Sequence, residues 1–239
     1  MKKKNIVAII PAAGIGKRMQ LQSSYPKQYF TIYGKTIIEY TLQILLEHPL
    51  INRIIIVLNS NDKWFNLLPI RTNHKKRITT TIGDNTRSGS VMAGLQVIKN
   101  DCSEKWILIH DAVRPFLCRK DLDRLLSIRS NNSIGGILVS PVRDTIKRSE
   151  WNKQIISYTI KRHNLWHALT PQLFPINLFR KCLQHALANS IELTDDSSAL
   201  EYCGYHPSFI VGRRDNIKIT YQEDIDLAKF YINQKRENT

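Results

Sequence analysis

The 239-residue sequence predicts an α/β protein: a Rossmann-like, mostly parallel sheet with helices on both faces, plus a projecting β-hairpin arm. Three features predict it. Short apolar runs alternate with segments of helical periodicity, the order expected of βαβ units. The runs are apolar at consecutive positions, as strands buried on both faces are. Residues 144–161 then break the pattern, alternating in two pieces around a polar turn.

The first strand is expected over 5–10, where an apolar run enters Pro11-Ala12-Ala13-Gly14. Ile38, Tyr40, Leu42, Leu45 and Leu46 recur at helical spacing and predict a helix over 36–48. Strands follow at 53–58 and 77–82, then a helix over 88–98 with Val91, Leu95 and Val97 toward its buried side. A fourth strand, 106–109, ends at His110-Asp111; an amphipathic helix over 121–130 and a fifth strand over 136–142 come next. Thr145-Ile146-Lys147 and the run 155–160 flank the turn 149–153, which predicts a hairpin too polar to be a buried strand pair. An exposed hairpin is marginal alone. It either exchanges with a second subunit or folds back on its own domain. A helix over 176–188, strands over 207–211 and 217–219, and a helix over 221–234 complete the chain. Glu223 and Asp224 fall in the first turn of the last helix, where the dipole favours carboxylates. With no repeat and no linker, the expectation is a single domain over 1–239 with an arm at about 143–163.

Lys and Arg number 35 against 20 Asp and Glu, a formal charge of +15. That favours anionic partners. The charge is scattered without a long basic block, so a phosphate-handling site is expected and a nucleic-acid surface is not. No apolar run approaches the roughly 18 residues of a spanning helix, and the basic start leads into a strand, not a cleavage site. No membrane association is expected. Cys102, Cys118, Cys182 and Cys203 form no Cys-x-x-Cys pair and no zinc-ligand spacing with histidine. Reduced thiols in a cytoplasmic protein are the simplest reading.

Three segments carry chemistry. Pro11-Ala12-Ala13-Gly14-Ile15-Gly16-Lys17-Arg18-Met19 follows a strand with small residues and a basic pair, suited to backbone contact with an anion. It lacks both the Walker ending and the third glycine of the dinucleotide fingerprint. Lys27 follows in Pro26-Lys27-Gln28-Tyr29, close enough to meet the same phosphates. The turn Gly83-Asp84-Asn85-Thr86-Arg87-Ser88-Gly89-Ser90-Val91 offers amides and Ser90 to a base edge, or is a helix start capped by Ser88 or Ser90. His110-Asp111-Ala112-Val113-Arg114-Pro115 puts a carboxylate at the carboxyl edge of the sheet, where open α/β folds bind ligands. Asp111 there would hold ribose hydroxyls or Mg²⁺, or cap a loop. His110 reads as a packed structural residue.

Together with Pro141-Val-Arg-Asp-Thr145, Leu165-Trp-His-Ala-Leu-Thr-Pro-Gln172, Thr194-Asp195-Asp196 and Asp215-Asn-Ile-Lys-Ile-Thr220, these segments resemble the 2-C-methyl-D-erythritol 4-phosphate cytidylyltransferases over nearly the whole chain. The resemblance implies a nucleotidyltransferase-type fold and transfer of the cytidylyl group of CTP to methylerythritol phosphate. It assigns Arg18 and Lys27 to stabilise the transition state, and Arg162 and Lys218 to hold the acceptor phosphate for attack. It assigns Ala12, Ala13, Gly14, Gly83, Asp84 and Ser90 to the nucleotide, with Asp111 and Ala112 at its ribose. Thr145, Arg114 and Thr170 become acceptor contacts. Mg²⁺ bound with CTP, Asp111 as its ligand or outer-sphere partner, and a homodimer with exchanged arms are also implied. The rival acceptor is another sugar-alcohol phosphate such as ribitol 5-phosphate. Asn164 stands where glycine is usual, a tolerable change because asparagine accepts positive φ better than most residues.

Overall fold

The structure is a computed structural model and describes residues 5–14, 25–99 and 104–237. In chain order its strands and α-helices are β1 (Ile6–Ala12), β2 (Thr31–Ile32), β3 (Lys35–Thr36), α1 (Ile37–Glu47), β4 (Ile51–Leu58), α2 (Pro69–Asn73), β5 (Ile78–Ile82) and α3 (Arg87–Gln96). They continue as β6 (Trp106–Ile109), α4 (Arg119–Ser127), β7 (Gly136–Pro141), β8 (Ile146–Ser149), β9 (Ile156–Ile160), β10 (Trp166–Pro175), α5 (Ile176–Ala188), α6 (Ser197–Tyr202), β11 (Ser208–Val211) and α7 (Glu223–Glu237).

Among the described residues a seven-stranded sheet has the order β11-β7-β10-β6-β1-β4-β5. Every neighbouring pair is parallel except the two that involve β10, so six strands share one direction. β1 lies between β4 and β6, and the chain winds away from it in opposite senses. A crevice opens at such a switch point, outside the carboxyl ends of the strands.

Alternation along β1 divides the core. Ile6, Ala8 and Ile10 pack with Leu42 and Leu45 of α1 and Leu122 and Leu125 of α4. Val7 and Ile9 pack with Val91 and Leu95 of α3 and Phe179 and Leu183 of α5. Helices therefore cover both faces. α1 starts at a capping box: the Thr36 hydroxyl accepts from the Glu39 amide, and the Glu39 carboxylate accepts from the Thr36 amide. In the first turn of α7 the Asp224 carboxylate reaches back to accept from the amides of Thr220 and Tyr221.

Three sequence expectations need correction. Residues 217–219 form no strand but an irregular crossing segment, fixed by the Ile219 amide donating to the Val113 carbonyl. Residues 166–175, read only as a motif, form the antiparallel β10 at the centre of the sheet. Pro171 hid it, because proline argues against a central strand; here it sits in the register shift between Ala168 and Gln172, where no ladder bond is required of it. α3 is capped by Thr86, whose hydroxyl accepts from the Gly89 amide, and not by Ser88 or Ser90.

β8 and β9 pair antiparallel as a separate two-stranded sheet, the expected arm. It stands away from its own chain: Trp151 at its tip is 90 % exposed, and Ile156 and Tyr158 are 61 % and 57 % exposed. The pair Ile146↔Ile160 closes its ladder, so Thr145 and Arg162 both fall just beyond the paired strands, at its open end. The chain leaves the arm through a turn closed by the Leu165 amide on the Arg162 carbonyl, with Asn164 at φ +64°. Asn164→Val should lower unfolding stability by about 1–2 kcal/mol, the usual cost of a side chain in the left-handed region. Asn164→Gly should stay within about 1 kcal/mol. Urea unfolding at one protein concentration measures both, and equal losses would refute the backbone explanation.

Candidate functional site

A cleft of about 590 Å³ opens at the carboxyl ends of β1 and β6. Pro11 to Gly14 form one wall, residues 84–87 with Ser90 the opposite one, and Asp111, Ala112 and Val113 the floor, with Lys27 and Lys218 at the side. The turn after β1 is held from behind. Gln28, buried, donates through Nε2 to the Ala12 carbonyl at 2.9 Å, and Asn59 Nδ2 donates to the Ala13 carbonyl at 3.3 Å.

Gly83 lies behind this wall and has no room for a side chain. A Cβ there would stand 2.7 Å from both Ala13 Cβ and Ser90 Oγ, so glycine is what lets the two sides of the cleft meet. Ser90 Oγ accepts from the Asp84 amide at 3.1 Å and donates to the Asp84 carbonyl at 3.0 Å, closing the loop. Asp84 has no positive φ, so a non-glycine residue fits there. Among the described residues nothing lies within 4 Å of where a Gly14 Cβ would stand.

The floor centres on Asp111, 6 % exposed. Oδ1 accepts from Arg87 Nε at 3.3 Å and Arg87 NH2 at 3.2 Å. Oδ2 accepts from Arg114 Nε at 3.3 Å and faces Lys218 Nζ at 3.0 Å. Burial pushes its pKa up, but Arg87, Lys218 and Arg114 outweigh burial and hold the carboxyl well below the usual range. The far edge of the Arg87 guanidinium grips Asp196 at 2.8 Å on both oxygens. Burial raises the Asp196 pKa, and Arg87 opposes it.

His110, fully buried, contacts the Thr170 hydroxyl through Nδ1 at 2.9 Å and the Arg114 carbonyl through Nε2 at 3.3 Å. The Arg114 carbonyl can only accept, so Nε2 carries the ring proton of the neutral imidazole and Nδ1 accepts from the Thr170 hydroxyl. Burial lowers the imidazole pKa to about 4, so the ring is neutral. Arg114 and Thr170, expected at the acceptor, are enclosed beneath the cleft. Arg114 NH1 donates to the Asn216 carbonyl at 2.8 Å, and Asn216 Nδ2 donates to the Thr170 carbonyl at 2.8 Å. Lys27 Nζ donates to the Ile219 carbonyl at 3.0 Å. The segment 216–219 thus fastens Arg114, Lys218 and Lys27 around one cavity.

Of the residues expected at the site, Ala12, Ala13, Gly14, Lys27, Asp84, Ser90, Asp111, Ala112 and Lys218 line this cleft. Arg18 lies outside the described residues. Thr145 and Arg162 are exposed at the base of the arm and do not line the cleft of their own chain. Sequence reasoning gave no role to Arg87, Gln28 or Asn59. Arg87 stood inside a segment read for its amides; only the fold shows what its side chain reaches.

Among the described residues no group of three or more His, Cys, Asp or Glu side chains is placed to hold a metal ion. Asp111 alone brings a buried carboxylate to the cationic end of the cleft, and its four acceptor positions are all engaged. Mg²⁺ keeps several waters and takes one or two carboxylates plus substrate phosphates. A single buried carboxylate among cations is the donor set of a magnesium ion carried mainly by substrate phosphates, and Asp111 is the residue that would meet it.

A family model described as 2-C-methyl-D-erythritol 4-phosphate cytidylyltransferase (IspD) matches residues 6–234. Proteins of that name from Yersinia pseudotuberculosis and Serratia proteamaculans are 50 % and 49 % identical over 231 and 229 residues, covering 97 % and 96 % of this chain and 93 % and 94 % of theirs. The crystal structure of the Francisella tularensis protein of the same name is 33 % identical, with a TM-score of 0.79 over 95 % of this chain and 99 % of that one.

His110 makes folding pH-dependent. Unfolded, it titrates near 6.5; folded, at about 4. Between these values the unfolded chain binds a proton that the folded chain does not, so stability present above pH 6.5 is lost as pH falls toward 4, by roughly 3 kcal/mol. Unfolding free energies of wild type and His110→Gln across that window should diverge in slope, the variant being flatter. Parallel curves would exclude the buried neutral imidazole.

Proposed function

The chain belongs to the 2-C-methyl-D-erythritol 4-phosphate cytidylyltransferase family, and we propose from that premise how its cleft performs the family's reaction. The enzyme is a CTP-dependent nucleotidyltransferase of non-mevalonate isoprenoid biosynthesis. A phosphate oxygen of methylerythritol phosphate attacks the α-phosphorus of CTP. The new P–O bond forms as the α–β bridging bond breaks, and pyrophosphate leaves with that electron pair.

One observation carries the residue assignment: the cleft offers cations and main-chain groups around a carboxylate held ionised, while the neighbouring imidazole is neutral and turned away. The acceptor phosphate is already a nucleophile near pH 7, so a general base is not needed. Positioning and charge stabilisation suffice. In this reading Ala12, Ala13 and Gly14 give the nucleotide phosphates close backbone approach, and Gly83, Asp84 and Ser90 face the cytosine. Asp111 and Ala112 hold the ribose. Lys27, with Arg18, meets the charge that grows on the phosphoryl oxygens. Lys218 leaves Asp111 for the acceptor phosphate. Arg114 and Thr170 act from beneath, fixing Asp111. Bound Mg²⁺, held by the CTP phosphates and Asp111, would neutralise phosphate charge.

The arm belongs to the proposal. Thr145 and Arg162 serve the cleft of a second subunit in a homodimer, which explains why both stand exposed at the open end of the arm and outside their own cleft. A cytoplasmic location fits the substrates, and no helix of the described residues is long and apolar enough to cross a membrane.

Pyrophosphate release with CTP and Mg²⁺ should require methylerythritol phosphate. Release with ribitol 5-phosphate instead would keep the nucleotide assignment and overturn the acceptor. Lys27→Ala and Arg18→Ala should lower kcat by roughly 100-fold or more at nearly unchanged Tm; a matching loss of stability would remove the transition-state role. Lys27→Ala and Arg162→Ala proteins, each poorly active alone, should regain activity on mixing, because a hybrid dimer rebuilds one complete cleft from two chains. No recovery after subunit exchange would confine the site to a single chain.

A further inference from the structure

Arg87 occupies the first position of α3, on the loop assigned to the base, yet its side chain reaches away from that loop. One edge of the guanidinium meets Asp111 Oδ1 through Nε and NH2 at 3.3 and 3.2 Å. The other meets Asp196 through NH1 and NH2, both at 2.8 Å. Three parts of the fold converge there: the start of α3, the end of β6 and the start of α6. Only a planar fork serves two carboxylates on two edges; a lysine ammonium is a point charge.

Asp196 is the more telling partner. It sits at the N-cap of α6, where aspartate normally bonds the free amides of the first turn, but its side chain makes no capping bond. It is 3 % exposed and given over to Arg87. The segment is held independently. Asp195 Oδ2 accepts from Gln172 Nε2 at 2.8 Å, and Gln172 Oε1 accepts from the Ser197 amide at 2.9 Å, anchoring the start of α6 to β10. Asp196 is therefore a fixed post, and Arg87 is stretched from it to Asp111.

We infer that Arg87 is a positioning residue for the cytidylyl transfer: braced by Asp196, it holds the Asp111 carboxylate in the orientation that meets the nucleotide. The inference rests on the function proposed above. When Lys218 leaves for the acceptor, Arg114 keeps a single bond to Oδ2 through Nε, and Arg87 supplies both bonds to Oδ1. A misplacement of the order of 1 Å at such a group costs about 100-fold in rate.

The alternative is a plain structural ion pair, which apolar residues of similar size can replace with little loss of stability. Arg87→Met, Asp196→Leu and the double variant separate the two. Arg87→Met should lose both Tm and about 100-fold in kcat, with KM for CTP raised and KM for the acceptor unchanged. The double variant, which leaves no unpaired charge at position 196 and Asp111 still paired with Arg114 and Lys218, should regain Tm but not kcat. Recovery of kcat together with Tm would overturn the inference. If the double variant stays unstable, Arg87→Lys decides: wild-type Tm with kcat at least tenfold down supports it, and wild-type kcat refutes it. Wild-type turnover in the same assay tests the underlying function separately.

Discussion

The buried carboxylate of Asp111 is the constraint around which this fold is arranged. An ionised carboxylate out of water is costly unless it is paired and hydrogen-bonded. Here that requirement draws Arg87 from α3, Arg114 from the loop after β6 and Lys218 from the segment before α7 to one point. Of these only Arg114 is near Asp111 along the chain. The pairing is thus a tertiary requirement: the sheet order, the crossing segment and the helix starts must all be correct before the charge is satisfied. The second carboxylate, Asp196, extends the same demand to α6.

The cluster also sets the chemistry. Three cations face two carboxylates, so the floor keeps an excess of positive charge while each group is held in place by its neighbours. A site of this kind is preorganised for anions. Charge that develops during phosphoryl transfer meets dipoles and cations that need not reorient. His110, one residue from Asp111, illustrates the division of labour. Burial keeps it neutral, and its two nitrogens are used to fasten Thr170 and the Arg114 carbonyl. It shapes the floor and takes no part in proton transfer.

Much of this was legible in the sequence, for reasons that differ by residue. Strands buried on both faces announce themselves by consecutive apolar residues, and β1, β4, β6 and β7 were found that way. The helices with a clear apolar stripe followed. Asn164 was read as tolerating positive φ, and it has one. What failed was whatever depends on a distant partner. β10 carries a proline that local rules count against a central strand, and only the bulge between its two neighbours makes room for it. Residues 217–219 look like a strand because Ile217 and Ile219 flank a polar residue, yet they are held by carbonyl contacts to Lys27 and Val113, not by a ladder. Lining positions next to recognisable turns were legible; the long reach of Arg87 was not, since nothing local tells where a guanidinium five bonds from the backbone will bind.

The arm follows from the same physics read outward. A two-stranded hairpin carrying Trp151, Ile156 and Tyr158 in solvent is poorly stabilised on its own. Its exposed apolar side chains gain little until another surface covers them. Meanwhile the cleft of a single chain holds cations for the nucleotide on one side, and two polar residues assigned to the acceptor wait at the base of the arm. Covering the arm with a second copy would answer both deficits at once, burying the apolar residues and completing the acceptor half of each cleft. In that arrangement dimerisation is part of building the site, and catalytic competence depends on protein concentration as folding of the single chain does not.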